Sequence, residues 1–311
     1  MGIDHGIRAR DLNVDVIRRR DDAERSELVA FVDAVASSTG RRPLSDHLWL
    51  DLRKGDGDGF VAVRLRDDDH TVAMAQISSG NEASSLETVV EPARDGDVEV
   101  HAQVAHRVMH AFQEMGGGQL FWWLDDPAPE LRHIAAHCGL RPVRQLHEMR
   151  IPLPLPESAS IPTRAFVPGQ DDAAWLEVNN LAFATHAEQG GWTQELLESR
   201  MAEDWFDPDG FRMYDPDGEL LGFCWTKLHL DADPVAGEIY VVAVRPDAHG
   251  RGLGRELTLA GLDAIAARGI DLGLLYVDEH NDAAIRLYER LGFTTHHVRT
   301  AFRGHLLPML R

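Results

Sequence analysis

Apolar runs and amphipathic stretches follow one another in the same order in each half of the chain. In the first half, this pattern predicts helices near 24–38, 43–53, 98–115 and 128–138, and strands at 59–65, 71–78, 86–90, 119–124 and 143–151. In the second half, it predicts helices near 171–185, 193–204, 251–268 and 281–291, and strands at 210–214, 219–230, 238–244, 272–277 and 294–303. Strands interleaved with helices in this way are typical of an α/β (α+β) fold with a sheet flanked by helices.

The repeated order of elements predicts an internal duplication. The Gly-Phe pair at 292–293 corresponds to the Gly-Leu pair at 139–140, and the corner Val-Arg-Pro at 244–246 corresponds to Val-Glu-Pro at 90–92. Both pairs are separated by about half the chain, which is how a tandem repeat is recognised. The alternative is two unrelated domains with a similar order of elements.

A proline-rich segment separates the two copies. Alternating prolines within residues 151–170 favour an extended, stiff linker. We therefore expect one domain at 1–150, a linker at 151–170 and a second domain at 171–311.

Composition narrows the class of protein. The chain has 311 residues, of which 44% are hydrophobic, and a net charge of −20, which disfavours binding to nucleic acid or to an anionic membrane. Its two cysteines, Cys138 and Cys224, indicate neither a disulfide framework nor a zinc site. No signal peptide or membrane-spanning run is recognisable in the sequence. We expect a soluble, cytoplasmic monomer that acts on small molecules without a metal.

A glycine-rich turn follows the strand at 238–244. Gly250, Gly252 and Gly254 stand in this turn, immediately before a long amphipathic segment. Glycines allow close backbone approach, and a helix that begins at such a turn offers N–H groups and positive potential to a phosphate. Arg251, Arg255 and Arg286 could add local positive charge. A glycine-rich loop alone could also serve another nucleotide or simply turn the chain.

A second motif makes the pattern more specific. Residues 281–293 run from Asn281 through Tyr288 to a Gly-Phe pair. Together with the glycine-rich turn, they resemble the acyl-CoA-binding core of the GCN5-related N-acetyltransferases (GNATs). The resemblance implies two tandem GNAT domains, each a mixed sheet flanked by helices, and acetyl-CoA as co-substrate. It implies the following cofactor-binding residues: Val242, Ala243, Val244, His249, Gly250, Arg251, Gly252, Leu253, Gly254, Arg255, Asn281, Asp282, Ala283, Ala284, Ile285 and Arg286.

Two residues of the second copy are catalytic candidates. Acetyl transfer to an amine requires a neutral amine, a polarised thioester and a proton for the leaving thiolate. Glu238, at the start of the motif strand, could take the amine proton through water, although it could also be a solvent-facing strand-end carboxylate. Tyr288 could give a proton to the sulfur of coenzyme A, although it could also be a core tyrosine. Asn281 is also a plausible N-cap of the last helix.

The first copy lacks these features. Alignment on the Val-x-Pro corners places Val98 and Val100 at the positions of two loop glycines, Gly252 and Gly254. The same comparison places Ser84 opposite Glu238 and Ala135 opposite Tyr288. We therefore expect a degenerate first domain and one productive site. In the second copy, His249 stands where the family usually has Gln or Arg.

Two further stretches suggest the acceptor. Residues 178–193 and 220–241, within a tandem chain, resemble the GNATs that acetylate the cysteinyl amine of cysteinyl-glucosaminyl-inositol. Under that resemblance, the substrate contacts are Asp46, Glu188, Lys227 and Tyr276. Lys227 could instead be a surface lysine and Asp46 a helix cap. An aminoglycoside or polyamine acetyltransferase, a protein N-terminal acetyltransferase and a non-catalytic acetyl-CoA sensor remain alternatives.

Overall fold

The structure is a computed structural model that describes residues 12–18, 22–40, 42–54, 59–80, 83–184 and 190–309. The helices are α1 (Asp22–Thr39), α2 (Asp46–Lys54), α3 (Val98–Glu114), α4 (Pro129–His137), α5 (Asp172–Ala182), α6 (Gln194–Met201), α7 (Leu253–Ala266) and α8 (Asp282–Leu291). The strands are β1 (Asn13–Ile17), β2 (Val61–Asp67), β3 (His70–Ser79), β4 (Ser84–Val90), β5 (Gly118–Asp125), β6 (Arg141–Pro152), β7 (Arg164–Ala165), β8 (Phe211–Tyr214), β9 (Gly222–His229), β10 (Ala236–Val244), β11 (Leu272–Asp278) and β12 (Thr294–Leu306). All the predicted helices and strands are present; β1 and the two-residue β7 were not predicted.

The chain divides into two compact units. Unit 1 comprises the residues up to Gln145 together with those from Arg299, and unit 2 comprises Leu146–Val298. In unit 1, β1 to β5 form a sheet that is antiparallel except for the parallel pair β4–β5, and residues 299–306 of β12 pair with β5. Helix α3 packs on one face of this sheet, while α1 and α2 pack on the other.

Unit 2 repeats this arrangement. Its strands β7 to β11 are antiparallel neighbours except for the parallel pair β10–β11, and residues 146–152 of β6 pair with β11. Helices α7 and α8 cover one face, and α5 and α6 cover the other. Gly261 of α7 lies directly against Cys224 of β9, where an added Cβ would collide with the sulfur. This close approach fixes α7 against the strands that carry the candidate site.

The units do not end where the predicted domains end. Residues from Arg299 onward lie in unit 1 because their strand completes the hydrogen bonding of β5. The proline-rich segment packs on unit 2 instead of crossing free space: Leu153 N donates to the Asp271 carbonyl at 2.8 Å, and Ala159 N donates to the carboxylate of Asp263 at 2.9 Å. The segment 151–170 is therefore not a free linker over its whole length.

Candidate active site

In unit 2, β10 and β11 part after a short parallel contact. Residues Gly237–Ile239 pair with Gly273–Leu275, and the parallel pairing ends there although β10 continues to Val244. A β-bulge at Tyr240 shifts the register of β10 against β9 at the same level. A bulge bends its strand and increases the local twist, which turns β10 away from β11. We call this parting the strand fork; beyond it, the β11-facing edge of 241–244 can bond a ligand.

The glycine-rich turn lies at the end of β10. Gly250 and Gly252 have φ of 79° and 78°, in the left-handed region that favours glycine. Gly252 is the N-cap of α7, and no side chain caps this helix. The first N–H groups of α7 are therefore available, and with the helix dipole they favour an anion at this end. The turn fits the phosphates of a coenzyme A derivative.

The basic side chains around this turn differ in their engagement. Arg255 is paired with Glu157 at 2.5 Å, and this hydrogen bond raises the pKa of the guanidinium. Arg251 makes only a long contact of 3.4 Å to the Asp247 carbonyl, and Arg286 lies 4.0 Å from Asp282. The guanidinium groups of Arg251 and Arg286 are thus less closely paired than that of Arg255.

His249 has a local structural role. Its Nε2 lies 3.0 Å from the backbone carbonyl oxygen of Val244, five residues earlier. A ring N–H that donates to this carbonyl closes the turn between β10 and α7. The contact gives a physical reason for a histidine where the family usually has Gln or Arg.

Helix α8 brings Tyr288 to the strand fork. Asn281 is its N-cap, since the side-chain oxygen accepts the N–H of Ala284 at 3.2 Å. Tyr288 is buried, packs 5.7 Å from the ring of Phe293, and shares a cluster with Ile239 and Leu275, the last parallel pair. Burial raises the pKa of the Tyr288 phenol, so it retains its proton at neutral pH.

Glu238 precedes Ile239 in β10, and its side chain lies on the face of the sheet opposite to Tyr288. It is only 8% exposed and stands directly across from Lys227 of β9. Its Oε2 lies 2.8 Å from Nε2 of His229. The carboxylate is therefore enclosed and partnered, not a strand end that faces solvent.

Lys227 is buried, not a surface lysine. Its Nζ lies 4.9 Å from the ring centroid of Trp205 and 5.7 Å from that of Tyr240. Aromatic faces attract a cation, more strongly where water is excluded. The amino group thus lies over two aromatic rings, on the strand position directly across from Glu238.

Tyr276 also contributes a polar group to this face. Its hydroxyl donates to Glu148 of β6 at 3.1 Å, and Nε of Arg150 donates to the other oxygen of Glu148 at 2.7 Å. The strand register places Lys227, Glu238, Leu274 and Arg150 in one row across four strands. Tyr276 and Glu148 form the pair next to this row, on the same face.

The structure thus brings together three of the six predicted catalytic and substrate residues on one sheet face: Glu238, Lys227 and Tyr276. Tyr288 lies on the other face, and Glu188 falls outside the described residues. Asp46 lies in the first turn of α2, in unit 1.

Sequence reasoning assigned no role to His229 or Glu148. A usable signal exists for His229, because residues 225, 227 and 229 alternate along β9 and must share a face. No local pattern links Glu148 to Tyr276, which is 128 residues away.

In unit 1, β4 and β5 also part after a short parallel contact, but a side chain caps the N-terminus of α3. Strands β4 and β5 pair in parallel only over Ser84–Leu86. The N-cap of α3 is Asp97, whose carboxylate accepts the N–H groups of Glu99 at 3.0 Å and Val100 at 3.4 Å. A side-chain anion therefore stands where α7 has the bare Gly252.

Three predicted correspondences between the copies are wrong by one residue. β4 pairs with β3 without a bulge, so Ser85, not Ser84, is the structural counterpart of Glu238. The turn before α3 is one residue shorter than the turn before α7, so Asp97 and Glu99, not Val98 and Val100, correspond to Gly252 and Gly254. Ala135 does correspond to Tyr288, because each lies seven residues after its N-cap.

Cys224 is poorly suited to act as a nucleophile. Cys224 is fully buried, and burial raises the pKa of its thiol, which disfavours the thiolate. Among the described residues, no group of three or more His, Cys, Asp or Glu side chains could hold a metal ion. No helix in the described ranges is long and apolar enough to span a membrane.

Comparison with known proteins defines the class. The sequence model of the Acetyltransferase (GNAT) family matches residues 175–293. A GCN5-related N-acetyltransferase from Sphaerobacter thermophilus superimposes with a TM-score of 0.70 at 23% identity, covering 96% of this chain and 97% of that one. A tandem GNAT protein from the clavulanic acid biosynthesis pathway gives 0.67 at 15% identity, covering 96% and 100%. The chain is an acetyltransferase of the GNAT fold, as the motifs predicted.

A closer relative narrows the family. The mycothiol acetyltransferase of Streptomyces griseus subsp. griseus is 41% identical over 291 residues, which cover 91% of this chain and 92% of the relative. The chain belongs to the mycothiol acetyltransferase family, which confirms the resemblance seen in residues 178–193 and 220–241.

Proposed function

We propose that this protein transfers an acetyl group from acetyl-CoA to the cysteinyl α-amine of cysteinyl-glucosaminyl-inositol, giving mycothiol and coenzyme A. The name of its 41%-identical relative supports this acceptor. The observation that carries the proposal is the enclosed carboxylate of Glu238, one residue before the last parallel pair at the strand fork. A base at that level stands beside the point where the acyl group would enter.

The residues present fit acetyl-CoA. The edge of β10 at Val242–Val244 would bond the pantetheine amides, and the turn at Gly250 and Gly252 would hold the pyrophosphate with Arg251 nearby. Acetyl-CoA supplies the acetyl group as a reactive thioester.

Direct transfer accounts for the two catalytic candidates. Glu238 takes one proton from the acceptor ammonium, and the resulting amine forms the new C–N bond as the C–S bond breaks. Tyr288 donates its phenolic proton to the departing sulfur and regains a proton when the amide nitrogen loses its own. The reaction releases one proton overall. No acetyl-enzyme is needed, and the buried Cys224 is a poor acyl carrier.

The face around Glu238 suits a hydroxylated amine. Lys227 supplies donors, and Tyr276 supplies a phenol oxygen whose proton is directed at Glu148. The enclosed aromatic surroundings would exclude water from the reacting amine.

We propose that only unit 2 is productive. Unit 1 has Ser85 and Ala135 in place of the proposed base and acid, and the carboxylate of Asp97 at the terminus of α3 repels a phosphate.

A panel of acceptors tests the function. The purified protein and acetyl-CoA are incubated with cysteinyl-glucosaminyl-inositol, glucosaminyl-inositol, spermidine or an aminoglycoside. Products are separated by chromatography and identified by mass, because the acceptor's own thiol interferes with thiol reagents. The cysteinyl acceptor should be acetylated far faster than the others. Equal or faster acetylation of another amine would overturn the assignment, and acetyl-CoA binding without turnover would indicate a sensor.

A further inference from the structure

Glu238 has one direct side-chain partner that the motifs do not explain. His229 ends β9, and its Nε2 lies 2.8 Å from Oε2 of the carboxylate. The register pairs His229 with Ala236 and Lys227 with Glu238, so the two basic side chains flank the carboxylate on one face.

We propose that His229 is a positioning residue that holds the Glu238 carboxylate for proton transfer. The inference rests on the proposed role of Glu238 as the base. Nε2–H donates to Oε2, which leaves Oε1 directed at the acceptor amine. The Nε2–H tautomer of the neutral ring and the imidazolium can both make this donation.

The surroundings assign this task to His229. Lys227, the other basic neighbour on β9, holds its amino group over the rings of Trp205 and Tyr240. Arg150, the charged residue at the far end of the row, donates to Glu148. The Nε2 of His229 lies within direct hydrogen-bond distance of the proposed base, at 2.8 Å from its Oε2.

The position of His229 also explains why such a contact matters. Its side chain is 29% exposed, while that of Glu238 is 10% exposed. The histidine therefore lies on the solvent side of the carboxylate and closes that side. A carboxylate without a fixed partner samples several rotamers, and a small misalignment of a base lowers the rate steeply.

Two substitutions of His229 test whether its hydrogen bond to Glu238, and not merely the presence of a side chain there, supports catalysis. His229→Gln can place its side-chain N–H near the position of Nε2, whereas the shorter His229→Asn reproduces only Nδ1 and leaves Oε2 without its donor. We expect H229N to lower kcat by roughly tenfold to a hundredfold, less than the loss of a general base itself, with the KM for acetyl-CoA unchanged. H229Q should retain most of the wild-type kcat and the wild-type pH profile.

Unit 1 offers a matched control. His70 of β3 makes the same contact, Nε2 to Oε2 of Glu91 at 2.8 Å, away from the proposed chemistry. His70→Asn should leave kcat at the wild-type value. In a double-variant cycle, adding H229N to Glu238→Gln should cost little, because the residue acts through Glu238.

Three outcomes would overturn the inference. Equal losses in H229Q and H229N, with a changed pH profile, would make the ring itself the proton acceptor. A wild-type kcat in H229N would remove His229 from the mechanism, and additive losses with E238Q would show that it acts elsewhere. Long-range ¹H–¹⁵N NMR gives a readout without an acceptor: the Nε2-bound proton of His229 should shift in E238Q. If the cysteinyl acceptor fails while this shift is present, the proposed function falls and the contact stands.

Discussion

At the residue scale, Glu238 and Tyr288 stand on opposite faces of the strand fork. Glu238→Gln and Tyr288→Phe should each lower kcat by about 10²–10⁴-fold, the usual contribution of a general base or acid. The affinity for acetyl-CoA should change little, since neither residue lies in the phosphate turn. Turnover is measured from separated products, and affinity by titration calorimetry. Because burial holds the pKa of Tyr288 above its ordinary value of 10.0, no loss of kcat from its ionisation should appear up to about pH 9.

Three results would contradict the proposed mechanism, each at a different point. A wild-type rate in either variant would remove that residue from the mechanism. Substantial residual turnover in a variant that carries both Glu238→Gln and Tyr288→Phe would reveal a second productive site. An acetylated Cys224 peptide in mass spectrometry would contradict direct transfer.

The sequence could predict Glu238, Tyr288 and Asn281 because the family motif fixes their spacing along one strand and one helix. It could not predict the bond between His229 and Glu238, or that between Tyr276 and Glu148, because each joins two strands. Such contacts depend on register, which a strand's own pattern does not reveal.

At the scale of elements, the N-termini of α3 and α7 show how one fold loses an anion site. Each helix follows the corresponding strand of its unit, β4 or β10, and a short 3₁₀ turn. The N-cap of α3 is Asp97, however, and the N-cap of α7 is Gly252. An N-cap carboxylate satisfies the free N–H groups and cancels part of the positive potential. The two termini differ in this side chain and in the preceding turn, which is one residue shorter before α3.

This comparison predicts the effect of a carboxylate in unit 2. Gly252→Asp should raise the KM for acetyl-CoA at least about tenfold more than Gly252→Asn, because an anion near the phosphates costs more than 1.4 kcal/mol. Both residues tolerate a positive φ better than most, so the pair isolates charge from backbone strain. Steady-state kinetics at fixed acceptor concentration gives the two values. Equal KM values would show that the phosphates bind elsewhere.

Periodicity predicted the elements themselves, since long amphipathic helices and apolar strands carry a strong local signal. It missed the bulge at Tyr240, because the run Ile239–Val244 is apolar on both faces and shows no break in alternation. That single extra residue is why Ser84 was matched to Glu238 in place of Ser85. The shorter turn before α3 likewise shifts the predicted match to Gly252 by one residue, from Asp97 to Val98.

At the scale of the whole molecule, the duplication was visible but the division of strands was not. The repeat placed the chain's last strand with the second copy, whereas residues from Arg299 onward lie in unit 1. The pairing of residues 299–306 with 118–125 joins segments far apart in sequence, and no local pattern reports it.

The division of strands predicts where a core substitution acts. Phe302 is buried in the unit 1 core and pairs with Trp122 of β5. Phe302→Ala should lower the free energy of unfolding of unit 1 by about 3–5 kcal/mol, the usual cost of removing a buried ring. The adjacent Arg303→Ala, on the exposed face, should cost little. Hydrogen exchange should then accelerate in peptides covering 118–125 and stay unchanged in those covering 272–278. The opposite pattern would place the last strand with unit 2, as the predicted domain boundary had it.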